Sequence, residues 1–203
     1  MGGTEMLFRI PALLIAITFH EYAHARMAYA WGDPTAKLQG RLTLNPLAHL
    51  DPLGLLMLWI LRFGWAKPVP INPRNFKDPR KGLFWVSFAG PGTNLILGLI
   101  ATFLLVVFWD FGVTYRIFME NIIIFNVFLA VFNIVPLPPL DGSKILSTLL
   151  PPKYRYYYYA VEPYGPFLLI IMLVFGLLPI FLLPISNFII TFFRNIVLFF
   201  LRF

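Results

Sequence analysis

The chain has no cysteine, few charged residues and only three histidines. Without cysteine, neither a disulfide scaffold nor a thiolate metal site can form. Charged residues make up 12% of the 203 positions, well below the roughly one quarter of a water-soluble domain. The 16 Lys/Arg and 9 Asp/Glu leave a net charge of +7. Those basic residues sit in short stretches between apolar runs and not along a polar face, which excludes a nucleic-acid binder. Any metal site must draw on His20, His24, His49 and a few carboxylates. No cleavable signal peptide, internal repeat or low-complexity tail is evident.

Apolar residues are abundant instead, at 59% with a mean hydropathy of +0.77. Long apolar runs cover Leu7–Trp31, Leu83–Trp109, Ile117–Leu140 and Tyr164–Phe193, the last resuming after Arg194. At about 1.5 Å per residue each is long enough to span a bilayer, and 164–201 is too long for one span. Pro179 and Pro184 bracket an expected break, with a last span near 185–201. The expected fold class is therefore all-α and polytopic, with about five transmembrane helices in the cell membrane. A single membrane-embedded domain is expected over 1–203, with a core at 7–150 and a C-terminal helical hairpin at 164–203.

Three polar stretches separate the runs. Gly32–Pro52 holds turn signals around the alternating run Leu38-Gln39-Gly40-Arg41-Leu42-Thr43-Leu44, which predicts a short β element over 36–44. Trp65–Lys81 carries five basic residues, and Pro136–Glu162 carries Pro-Leu-Pro-Pro-Leu-Asp-Gly and a tyrosine cluster. Those tyrosines, 154 and 156–159, read as an interfacial aromatic belt.

The first run is interrupted by His20-Glu21-Tyr22-Ala23-His24. On a helix, residues four apart share a face, so His20 and His24 suit two ligands of one zinc ion. Glu21 lies about 100° round from His20, placed to act as a general base. Ionisable groups inside a membrane span are costly and mark function. A third protein ligand must come from His49 or from Asp141, in Asn133-Ile134-Val135-Pro136-Leu137-Pro138-Pro139-Leu140-Asp141-Gly142. Asp141 is favoured, because a catalytic zinc commonly takes two histidines and one carboxylate.

Several stretches together resemble the site-2 protease family of intramembrane zinc metalloproteases. They are Phe19-His20-Glu21-Tyr22-Ala23-His24-Ala25, Gly32-Asp33-Pro34, Gly40 through Pro52, Ala89-Gly90-Pro91-Gly92-Thr93-Asn94 and Asn133 through Gly142. The resemblance covers about residues 7–150. It implies His20, His24 and Asp141 as zinc ligands and Glu21 as the base. It also implies functional places for Asn94 and Asn133, which match polar positions in other core spans. Asn133 is a candidate to stabilise the oxyanion, Asn94 to clamp substrate backbone, and His49 to contact substrate or to hydrogen-bond its own loop. The chain leaves no room for the PDZ or CBS modules of some members, so the minimal form is expected. An exposed strand edge at 36–44 would hold an extended substrate.

Depth then constrains topology. His20 and His24 lie in the second half of their span and Asp141 at the end of 117–140, so those two spans run the same way. The run Leu53–Ala66, about 21 Å if helical, cannot then cross and is expected to be re-entrant or interfacial. The basic loops 65–81 and 136–162 are expected in the cytoplasm. The expected function is intramembrane proteolysis of membrane-spanning substrates near the cytoplasmic face, with the bilayer and a transmembrane protein as partners and no nucleic acid. A transporter or a catalytically silent zinc protein is the alternative. A transporter should show repeats, and a silent relative should have lost a ligand or Glu21.

Overall fold

The computed structural model describes residues 3–54 and 64–201. The helices are α1 (Gly3–Ala30), α2 (Thr35–Leu38), α3 (Pro79–Val107), α4 (Val113–Ile134), α5 (Asp141–Leu149), α6 (Pro152–Val161), α7 (Gly165–Val174) and α8 (Leu177–Leu201). Four stretches are long and apolar enough to cross a membrane: α3, α4, Pro152–Val174 and α8. The fifth expected span, α1, has the length at 28 residues. Glu21, Arg26 and the two histidines make its second half polar, and it is not among those four.

Local chemistry sets the helix limits. Asp78 caps α3 by accepting from the amides of Arg80 and Lys81, both at 3.0 Å, and Pro79 fills the first helical position. The apolar run expected to Leu140 stops being helical at Ile134, because Pro136, Pro138 and Pro139 cannot continue the ladder. The break expected at Pro179 and Pro184 falls earlier. Gly176 takes the left-handed conformation (φ 65°) and its amide bonds back to Leu173 at 3.1 Å, ending α7. Pro179 then lies in the first turn of α8, where a missing N–H costs nothing, and Pro184 is tolerated inside that helix.

Helices α1, α3 and α4 pack on one another, and α8 packs on α3 and α4. Small residues permit the close approach. Ala12, Ala16, Ala25 and Ala28 of α1 are fully buried, and Gly98 of α3 meets Val127 of α4. A core of Ala101, Leu105, Ile123, Val127, Val131, Leu178 and Leu182 joins the three later helices. Large apolar side chains meanwhile point outward, among them Ile96, Phe103, Phe111, Val174 and Phe188. A helix surface of that kind suits lipid and not water.

The predicted strand at 36–44 is not formed. Thr35–Leu38 is a helical turn, and the only β pairing among the described residues is an isolated antiparallel bridge between Leu50 and Ala66. Asp33 starts that helical turn by accepting from the Thr35 amide at 3.1 Å. Its other bonds, from the Asn72 amide at 2.7 Å and the Asn75 side chain at 2.8 Å, tie the two ends of the loop together. Burial works against the charged carboxylate, but the donors from Thr35, Asn72 and Asn75 outweigh it and hold its pKa below the ordinary value. Most of Leu53–Ala66, the run expected to be re-entrant or interfacial, lies outside the described residues.

Candidate metal centre

His20 and His24 stand one turn apart on α1, and Asp141 opens α5 directly after the proline-rich turn that ends α4. The packing of α1 against α3 and α4 brings Asp141 to the two histidines from 117 and 121 residues away in sequence. Asp141 Oδ2 lies 3.2 Å from His20 Nε2 and 3.1 Å from His24 Nε2, and the two Nε2 atoms are 3.0 Å apart. All three side chains are buried, and their ligand atoms lie within 4.8 Å of one another.

The surrounding hydrogen bonds determine which imidazole nitrogens carry hydrogen. The Asn94 amide nitrogen donates to the Ala16 carbonyl at 3.0 Å and to Asn126 Oδ1 at 2.8 Å. Its oxygen must therefore be the atom that faces His20 Nδ1, at 2.6 Å, so His20 Nδ1–H is the donor. His24 Nδ1 faces the Val86 carbonyl at 2.7 Å, which can only accept. In the neutral rings both Nε2 atoms are then bare lone pairs, and both point at a carboxylate oxygen. Three acceptors crowded together away from water repel one another unless a cation sits among them. This donor set, two imidazoles and one carboxylate with each ring oriented by a further acceptor, fits zinc.

Lys144 Nζ approaches the other carboxylate oxygen, Asp141 Oδ1, at 3.8 Å. The two oxygens of Asp141 thus have different neighbours: the histidines on one side and a half-exposed ammonium on the other. Gly90 completes the lining. A Cβ there would collide with His24 Nε2 and lie 2.7 Å from His20 Nε2. Gly90→Ala is therefore expected to put a methyl group against the ligand atoms. It should weaken zinc retention at least tenfold, as the loss of an outer-shell partner typically does. Zinc per chain after dialysis against a mild chelator measures this, and unchanged zinc content would show that the site has room to spare.

Glu21 is not among the grouped ligands. Its Oε2 accepts from the Val69 amide at 2.9 Å. His49 is fully buried within the loop, its Nε2 donating to the Thr43 carbonyl at 2.8 Å and its Nδ1 3.5 Å from Arg41 Nη2. Asn133 is half-buried, and its amide donates to the Leu129 carbonyl one turn back at 3.0 Å. Neither His49 nor Asn133 is drawn into the histidine network. Asn94 stands behind His20 with both amide hydrogens engaged in the fold. Asn126, fully buried and donating to the Ile122 carbonyl at 2.9 Å, is the network member that the sequence reading missed. An amide inside the apolar run of α4, seven residues before Asn133 and so near the same helix face, was the available signal.

Over 190 residues the chain is 43% identical to "Putative zinc metalloprotease YwhC" of Bacillus subtilis, covering 90% of this chain and 87% of that protein. It is 33% identical over 184 residues to "Putative zinc metalloprotease Rip2" of Mycobacterium tuberculosis, covering 84% of this chain and 66% of the relative. It is 27% identical over 170 residues to "Zinc metalloprotease MJ0392" of Methanocaldococcus jannaschii, of which it covers 42%. No protein-family model matches the chain. No solved structure matches it either.

Proposed function

This chain belongs to the site-2 protease family of zinc metalloproteases, and from that premise we propose that it is an intramembrane endopeptidase. In this reading it cuts membrane-spanning protein substrates near the cytoplasmic face of the cell membrane. The observation that carries the reading is the convergence of His20, His24 and Asp141 on one buried point, with Glu21 beside His20 on a helix packed among membrane-type helices.

When bound, zinc supplies Lewis-acid chemistry, acidifying water and polarising a carbonyl. The chain's own groups do the rest. His20 and His24 present bare Nε2 atoms because Asn94 and Val86 hold their Nδ1 hydrogens. Asp141 supplies the anionic donor. Glu21 has one oxygen bonded to Val69 and the other without a partner among the described residues. That second oxygen, Oε1, takes the proton of the attacking water and returns it to the leaving nitrogen. The helices around the site keep bulk water from the reaction. The five basic residues in 65–81, against only Arg116 in 110–116, support a reading in which the metal end of α1 faces the cytoplasm by the positive-inside rule.

The test is reconstitution. The purified protein, loaded with zinc in lipid vesicles, is given a single-span peptide of about 20 apolar residues labelled at both ends. The expected result is one cut inside the apolar stretch, towards the end that faces the basic loops, and abolished by a zinc chelator. Cutting only outside the apolar stretch would contradict the intramembrane reading.

A further inference from the structure

The segment Lys67-Pro68-Val69-Pro70 crosses the polar end of α1 with both of its backbone N–H groups and its first two carbonyls committed. The Lys67 amide donates to the His49 carbonyl at 2.9 Å, beside the Leu50–Ala66 bridge. Arg41, itself buried, donates from Nη2 to the Lys67 carbonyl at 2.6 Å and from Nη1 to the Pro68 carbonyl at 3.2 Å. The Val69 side chain is buried against Ala25 and Ala36. Both neighbours of Val69 are prolines, so its amide is the one N–H donor between residues 68 and 70. That donor goes to Glu21 Oε2 at 2.9 Å. The prolines also fix φ on either side, so the donor has little freedom to move.

We propose that the Val69 amide is a positioning group for Glu21: it tethers Oε2 and so leaves Oε1 as the oxygen that exchanges protons. Arg41 acts through the segment, by locking the two carbonyls that precede the donor. A glutamate side chain has three rotatable bonds, and holding it in one orientation matters because a general base must lie within hydrogen-bond reach of its proton. The burial of Arg41 follows from the same arrangement. A guanidinium is costly to bury, and here two carbonyls aligned by one short segment satisfy part of it. The inference rests on the peptidase reading given above.

The test replaces valine 69 by its α-hydroxy acid, which turns the amide into an ester and removes the N–H while keeping the side chain. Cleavage of the doubly labelled single-span peptide is measured in vesicles, in the natural background and in Glu21→Gln. A Gln at 21 still offers an oxygen to the Val69 amide but has no base to position. The ester is expected to lower kcat about tenfold or more, a fraction of what a positioned base supplies. KM should stay within about twofold, and zinc per chain should not change. In the Glu21→Gln background the ester should lower the residual rate no further. An unchanged kcat, a change in KM alone, lost zinc, or an equal fall in both backgrounds would each overturn the positioning role. If the wild type cuts and the ester cuts as fast, the positioning role alone fails. If the wild type cuts nothing, the peptidase reading fails and the proposal falls with it.

Discussion

Glu21→Gln is expected to keep its zinc and lose its turnover. The residues grouped closely enough to hold a metal are His20, His24 and Asp141, and Glu21 is not among them, so on this assignment the substitution removes no donor. Gln matches Glu in size and retains an oxygen for the Val69 amide, so the loop stays anchored. What disappears is the group that takes and returns a proton. A positioned acid/base typically contributes 10²–10⁴-fold, and one that serves twice contributes more. The rate should fall by at least about 100-fold, and uncut substrate should co-purify with the variant from detergent. Zinc content, co-purification and cleavage are read on one preparation. Retained zinc with near-normal cleavage would remove Glu21 from the mechanism.

The second large effect is on the metal itself. Asp141→Ala takes away the anionic donor and leaves two bare imidazole nitrogens 3.0 Å apart. Zinc affinity should fall by more than the roughly 10–100-fold that losing an outer-shell partner costs. His49→Ala should leave zinc in place, because His49 is bonded to Thr43 inside the loop and is not grouped with the ligands. The cost of His49→Ala should appear as stability, since the Thr43 carbonyl loses its donor. Metal analysis of the two variants side by side decides between the third ligands. Zinc lost with His49→Ala and kept with Asp141→Ala would reverse the assignment.

That His20, His24 and Asp141 would come close enough to hold a metal was legible in the sequence, from helix spacing for the histidines and from zinc's usual donor set and the family resemblance for Asp141. Residues 20 and 24 must share a face, and a carboxylate after a Pro-Pro turn at a span's end must lie near a helix start. The second layer was legible only in part. Asn94 was marked only by the family resemblance, and its task of orienting His20 depends on Ala16 and Asn126, which only packing brings near. The Val86 carbonyl and the Val69 amide are backbone groups and leave no side-chain signature at all. The expected strand at 36–44 failed for a definable reason. Alternation reads polar residues as facing solvent, but Arg41 is buried, with its two terminal nitrogens donating to the Lys67 and Pro68 carbonyls. The Asx-turn bond from the Thr35 amide to the Asp33 carboxylate turns the chain into a helical turn there instead. Gly176 ended α7 because glycine reaches positive φ without strain, a stronger local stop than a proline already inside the next helix's first turn.

Membrane proteins of cells carrying the natural chain, compared with those of cells carrying Glu21→Gln at equal expression, test the central claim most directly. If this chain is a zinc protease acting within the membrane, a small set of single-span proteins should accumulate uncut in the variant. Their shortened forms in the natural cells should end inside the apolar segment, towards the cytoplasmic side. Identical membrane proteomes, or differences confined to proteins cut outside the bilayer, would contradict it.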